Sequence, residues 1–175
     1  MADRDIQDEL YRQVAAEHRA VLERWARAYE ADLELRRDLL QEIHLAVWRS
    51  LARFEHRSSL RTWVYRVAHN VATSHVLRRT RRGGGRWLTL DEIAEPAEPG
   101  ATPETLAGDQ QALSRLMAMI QSLNPADRQV MLLYLEDLDG AEISEITGIT
   151  PGAVAVKVHR LKAALARRLQ QGGAA

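Results

Sequence analysis

Three consecutive glycines, Gly83-Gly84-Gly85, cut the chain in two, and that cut constrains its fold more than any other feature. Glycine loses the most backbone freedom on ordering, so such a run stops a helix. The segment that follows, about 87–105, carries Pro96, Pro99, Gly100 and Pro103 among acids and shows no sustained apolar period. That is the composition of a tether. The 175 residues are thereby divided into halves of the size at which one small core can just support a fold. The expected fold class is all-α: two small helical domains, 1–86 and 109–175, joined by a flexible acidic linker over 87–108.

In the first half the apolar residues Leu10, Val14, Val21, Leu22, Trp25 and Tyr29 recur near helical period over 8–29, with one break around 17–19. A second helix is expected over 35–52, with Leu40, Ile43, Val47 and Leu51 inward and Gln41, Glu42, Leu45 and Arg49 outward. A polar loop, RFEHRSS, then offers Ser58 or Ser59 as the cap of a third helix over 60–82. There Leu60, Val64, Val67 and Val71 make an apolar stripe, and Thr62, Arg66, His69 and Thr73 repeat the spacing on the opposite side. Trp63 and Asn70 flank that second stripe, and the helix runs out into Arg78, Arg79, Arg81, Arg82 and Arg86. Aromatic, amide and cationic side chains on one outward face suit the stacking and phosphate contacts of nucleic-acid binding. An amphipathic helix with a solvated back accounts for the stretch equally well.

In the second half Leu113, Leu116, Met117 and Ile120 form a helical stripe. Asn124-Pro125 marks a helix start, with asparagine as cap and proline at the first position, and Val130, Leu133 and Tyr134 face inward after it. A short helix over 142–147 places Ile143 and Ile146 inward. Thr147-Gly148-Ile149 then turns tightly and Thr150-Pro151 starts a last helix. Val154, Val158, Leu161 and Leu165 point inward there, leaving Ala153, Val156, Lys157, His159 and Arg160 outside. Short helix, glycine turn and capped second helix with a small, basic outer face is the helix-turn-helix pattern. A helical hairpin with a solvated basic side would share these features.

The formal net charge is zero, yet it is unevenly distributed. Residues 1–86 carry 17 Arg against 12 acids, residues 87–149 carry 2 Arg against 12 acids, and residues 150–175 carry 5 Lys and Arg with no acid. Two basic ends flank an acidic middle, a pattern that marks distinct partners. Phosphate neutralisation supplies most non-specific affinity, so the neutral whole is expected to bind DNA weakly alone. Without cysteine there is no disulfide, thiolate zinc site or cysteine nucleophile. The six histidines show no His-Glu-x-x-His spacing, and the glycine run follows a helix instead of a strand. No enzyme, metal or cofactor is therefore expected. No apolar run reaches the roughly 20 residues of a membrane span, and no signal-peptide pattern opens the chain, so the expected location is the cytoplasm.

With these elements in place the chain resembles a bacterial RNA polymerase sigma factor of the extracytoplasmic-function (ECF) group, which keeps only regions 2 and 4. DLLQEIHLAVWRSLARF followed by LRTWVYRVAHN is similar to region 2, and LNPADRQVMLLYLEDLDGAEISEITGITPGAVAVKVHRLKAAL is similar to region 4. The resemblance implies an alternative sigma factor that binds core polymerase, recognises −35 and −10 promoter elements and helps melt the −10 region. It implies core-polymerase contacts by Asp38, Gln41 and Glu42, and a flipped −10 base received near His56, Arg57 and Ser58. It assigns −10 melting and reading to Trp63, Tyr65, Arg66, His69 and Asn70, and −35 reading to Thr150, Lys157, His159, Arg160 and Lys162. The implied partners are the β′ and β subunits of core RNA polymerase, promoter DNA and an anti-sigma factor released by a stress signal, with no membrane insertion. The linker would thread the polymerase's basic RNA-exit path.

Several of these residues admit a plainer role: Trp63 as half-buried packing, His69 as a solvated side chain, Gln41 and Glu42 as an ordinary solvated face. The chain also departs from the family pattern. Arg36 and Arg37 stand where acids are usual, Ser74 where an Asp is common, and Gly140 in place of an aromatic. Leu123-Asn124-Pro125 carries one residue more than the usual Leu-Pro. A stand-alone helix-turn-helix regulator, whose first domain senses a ligand or dimerises, is the other reading. It has no use for Gln41 and Glu42.

Overall fold

A computed structural model describes residues 2–81, 83, 87–88, 92–93 and 108–171. Among them are seven helices: α1 (Ala2–Tyr29), α2 (Leu33–Leu51), α3 (Leu60–Arg81), α4 (Gly108–Ser122), α5 (Pro125–Leu135), α6 (Gly140–Thr147) and α7 (Pro151–Gln171). The single extended contact described is an isolated bridge between Leu88 and Leu123.

Helix ends follow local chemistry. Ser59 Oγ accepts from the Thr62 N–H at 3.0 Å and caps α3. Asn124 accepts from the Asp127 N–H at 3.0 Å, with Pro125 at the first position of α5. Helix α6 starts two residues earlier than its apolar pattern implies, because Asp139 and Glu142 form a reciprocal capping box. It ends on Gly148 at φ 77°, a left-handed turn that a Cβ would strain. Thr150 Oγ1 then accepts from the Ala153 N–H at 3.3 Å to open α7.

Helices α1, α2 and α3 pack on one another as a first unit, and α4 to α7 form a second in which α7 lies against α4, α5 and α6. The inward face of α2 is Leu39, Ile43, Val47 and Leu51, with Leu40 only half-buried. The units also pack together, α1 touching α4 and α3 touching both α5 and α6. Helix α3 is therefore covered on more than one side, and its burial differs from the expected single stripe. Val64, Tyr65, Ala68, His69, Ala72 and Val76 are buried, while Val67 and Val71 are half-buried.

Two sequence expectations are corrected here. Tyr65 and His69 belong to the core and not to an outward face: His69 is fully buried and Tyr65 is 3% exposed. The cause is an aromatic cluster between α1 and α3. Trp25 lies 4.5 Å from Tyr65 and 4.0 Å from His69 between ring centroids, and the Tyr29 hydroxyl hydrogen-bonds His69 Nδ1 at 2.9 Å. A polar ring can be buried when it has such a partner.

Arg128, at 2% exposure, joins the two units. Its guanidinium donates to the carbonyls of Gln121 and Leu123 at the end of α4, and to the Tyr29 carbonyl at the end of α1. It also sits 5.3 Å from the Tyr29 ring centroid. Both helix ends present unpaired carbonyls and negative dipole ends, which a buried cation satisfies together. The Gln121 side chain adds a bond to the Arg27 carbonyl at 2.7 Å.

Of the segment assigned to the linker, Leu88 and Ile93 pack on the second unit. The Leu88 N–H donates to the Ser122 carbonyl at 2.8 Å, and Arg168 donates to the carbonyls of Glu92 and Ile93. Residues 94–107 of that linker, and Arg82 and Arg86 of the basic run, lie outside the described residues.

Candidate nucleic-acid and partner interfaces

On α2 the side chains of Asp38, Gln41 and Glu42 are all exposed. They point away from the buried stripe of Leu39, Ile43 and Val47, beside the exposed Leu45. Glu42 reaches across to Arg78 of α3 at 2.9 Å. Between them an open groove of about 390 Å3 runs over Leu45, Arg49, Asn70 and Ser74. The expected polymerase surface and Asn70 thus share one side of the first unit.

The loop after α2 is built around Phe54. His56 takes a positive φ of 56° and its ring lies 4.4 Å from that of Phe54, which in turn lies 5.5 Å from Trp63. Trp63 is half-buried and its Nε1 donates to Ser50 Oγ at 3.0 Å, so it is held in place by packing and one hydrogen bond. His56 and Arg57 are exposed, and Arg57 pairs with Glu55 at 2.7 Å; Ser58 is half-buried. Beside His56 a cavity of about 520 Å3 opens between α1 and α2, lined by Ile6, Leu10, Trp48 and Phe54.

The cations at the start of α3 are engaged within the chain. Arg61 pairs with Glu142, and Arg66 Nη2 donates to the Glu145 carbonyl at 2.9 Å with the carboxylate at 3.6 Å. On α1, Arg24 forks onto Glu136 at 2.7 and 2.8 Å. Acid from α6 and the end of α5 therefore covers basic residues of the first unit, the physical outcome of the uneven charge map.

In the helix-turn-helix, Thr150, His159, Arg160 and Lys162 are exposed. Lys157 is half-buried and ion-paired with Asp127 of α5, and the Lys162 ammonium is held by the Tyr134 hydroxyl at 2.9 Å. Both lysines therefore lean toward α5, while His159 and Arg160 are exposed on the outward face. Val156, absent from the expected set, is 59% exposed on that face.

Comparison with known proteins adds the family. The model for sigma-70 region 2 matches residues 14–82 and that for sigma-70 region 4 matches residues 113–165. The chain is 32% identical over 127 residues to RNA polymerase sigma factor CarQ of Myxococcus xanthus, covering 72% of this chain and 70% of that protein. It is 30% identical over 142 residues to the ECF RNA polymerase sigma-E factor of Escherichia coli K12, covering 76% and 73%. ECF RNA polymerase sigma factor SigG of Mycobacterium tuberculosis H37Rv is 29% identical over 150 residues, and there the match spans only 40% of the relative's length. Among solved structures, CnrH in complex with the cytosolic domain of CnrY has the same fold, with a TM-score of 0.63 at 19% identity over 95% of this chain and 96% of that one. Regions 2 and 4 in this order, on helices folded as described, define the ECF type of sigma-70 protein. The chain belongs to that family.

Proposed function

We propose that this chain is an alternative sigma factor: it binds core RNA polymerase, directs it to promoters by reading −35 and −10 elements, and helps open the −10 region. The observation that carries this reading is the matched pair of regions in one chain, one with an exposed acidic-amide edge on α2 and the other with an exposed α7. Asp38, Gln41 and Glu42 contact the polymerase. His56, Arg57, Trp63, Arg66 and Asn70 engage the −10 strand, and Thr150, His159 and Arg160 engage the −35 duplex. Tyr65 and His69 act from within, by holding α3 against α1. Such a protein works beside polymerase in the cytoplasm and needs no chemistry of its own. The likeness to CnrH, solved with the cytosolic domain of CnrY, supports a dedicated protein partner that restrains it.

The test is binding to core RNA polymerase by fluorescence anisotropy. Combined Gln41→Ala and Glu42→Ala should weaken it at least about tenfold, while stability changes by less than about 0.5 kcal/mol because both side chains are exposed. Unchanged binding would remove α2 from the interface.

Engaging −10 DNA through Arg66 requires its contacts with Glu145 to open, and the neighbouring Arg61 is held in the same way by Glu142. Exchanging both glutamates for glutamine removes this internal competitor yet keeps a side chain able to cap α6. The free variant should bind single-stranded DNA several-fold more tightly at ~50 mM salt, and the gain should fade as salt screens both contacts. A salt-independent gain, or none, would contradict this.

A further inference from the structure

The outward face of α7 holds an apolar group at its centre. Val154, Leu161, Ala164 and Leu165 are buried and fix the inward direction of the helix. At about 100° per residue Val156 points roughly 140–180° away from Val154, Leu161 and Leu165. It is 59% exposed, whereas Val154, two positions earlier, is 1% exposed. Around it stand Gly152, Ala153 and Ala155, all exposed, and a Cβ built at Gly152 meets no atom within 4 Å. Nothing bulky would hold the first two turns of α7 away from a surface. The Thr150 hydroxyl is turned to the backbone as the cap, and Lys157 and Lys162 lean toward α5. At the centre of the face, then, the group presented is an isopropyl, with His159 and Arg160 one turn further on.

The exposed cations on this face are Arg160 and Arg167, and residues 150–175 contain no acid, so the occupant that complements it is a polyanion. In a DNA major groove one base edge is apolar, the 5-methyl of thymine. The nine residues from Gly152 to Arg160 span about 12 Å, or three to four base steps, and Val156 falls mid-way. We propose that Val156 is a specificity-determining residue that reads a thymine 5-methyl group within the −35 element. This rests on the DNA-binding reading of α7 and deepens it by naming the base.

The test uses the full chain bound to core RNA polymerase and a promoter duplex selected from a randomised library. Each thymine of the −35 element is replaced in turn by deoxyuridine, which removes only the methyl group. At one position, or two adjacent ones, the replacement should weaken the complex about fourfold, the effect of one buried methyl. Val156→Ala should bind the thymine duplex about fourfold less well and no longer distinguish thymine from deoxyuridine there. Its thermal midpoint should stay unchanged, because the side chain is exposed. The proposal is overturned if no deoxyuridine changes binding, if Val156→Ala keeps the same discrimination, or if selected −35 elements lack thymine on both strands. The same holds if Val156 is protected by an acidic protein segment while DNA is bound. Failure to form any promoter-specific complex would instead defeat the sigma reading, and this inference with it.

Discussion

Replacing Glu30 by alanine is expected to destabilise the chain by about 3–5 kcal/mol, lowering the thermal midpoint by roughly 10 °C or more. Glu30, the residue after α1, is 1% exposed and surrounded by donors. His75 Nε2 lies 2.9 Å from one carboxylate oxygen, Arg79 Nη1 bonds both oxygens, and the Asp32 N–H donates at 3.0 Å. Burial pushes this carboxyl up, but the bonds from Arg79, His75 and Asp32 outweigh it and hold it below the usual range. Truncation leaves His75, itself 7% exposed, beside an empty polar site. Arg79 is half-exposed and recovers water, which keeps the loss from being larger. Circular-dichroism melting of Glu30→Ala and Glu30→Gln checks this. Glutamine keeps the shape and part of the bonding, so it should fall between wild type and alanine. Equal midpoints for all three would show that the cluster contributes nothing to folding.

The second large effect is acid sensitivity from His69. Full burial drives its pKa from 6.5 down to about 3, because its charged form would be desolvated. Nδ1 is engaged by Tyr29 and Nε2 has no acceptor among the described residues, so an imidazolium could not satisfy both its N–H groups. The folded state keeps the ring neutral while the unfolded chain takes up a proton below pH 6.5. The stability due to the neutral ring is therefore complete above 6.5 and is lost as pH falls, by about 1.4 kcal/mol per unit. His18 and His44 shift the same way through burial and add to the slope. Glu30, held below its ordinary 4.5, adds a further loss below that pH. Urea unfolding at pH 7.5 and pH 5 should show the midpoint falling with pH. His69→Phe should start from lower stability, since Tyr29 loses its acceptor, yet take up about one proton fewer on unfolding. An unchanged pH slope in that variant would show that His69 does not carry the effect.

How much of this was legible in the sequence depends on the range of the interaction. Caps act within four residues, so Ser59, Asn124-Pro125, Gly148 and Thr150-Pro151 marked their helix ends correctly. Asp139 was missed as a cap because Gly140-Ala141 does not look helical until its glutamate partner is considered. The face of α3 was misread because a periodic stripe presumes one buried side, and α3 is packed by helices from both units. His69 looked like a solvated polar residue for the same reason; its partner Tyr29 is 40 positions away. Arg128 carried no local signal, since the carbonyls that it joins belong to two helices 99 and 7 positions distant. Lys157 was read as a DNA contact, and Asp127, 30 positions earlier, holds it. Charge counts were read as marking distinct partners for the acidic middle and the basic ends. They could not say that the pairing is partly intramolecular, through Arg24, Arg61 and Arg66.

The most direct test of the central claim is a gel-shift titration against a fluorescent promoter library at about 150 mM salt, with and without core RNA polymerase. The sigma reading predicts sequence-specific complexes and transcript formation only when polymerase is present. Tight, specific binding by the chain alone, unaffected by Gln41→Ala and Glu42→Ala, would contradict it and favour a stand-alone helix-turn-helix regulator.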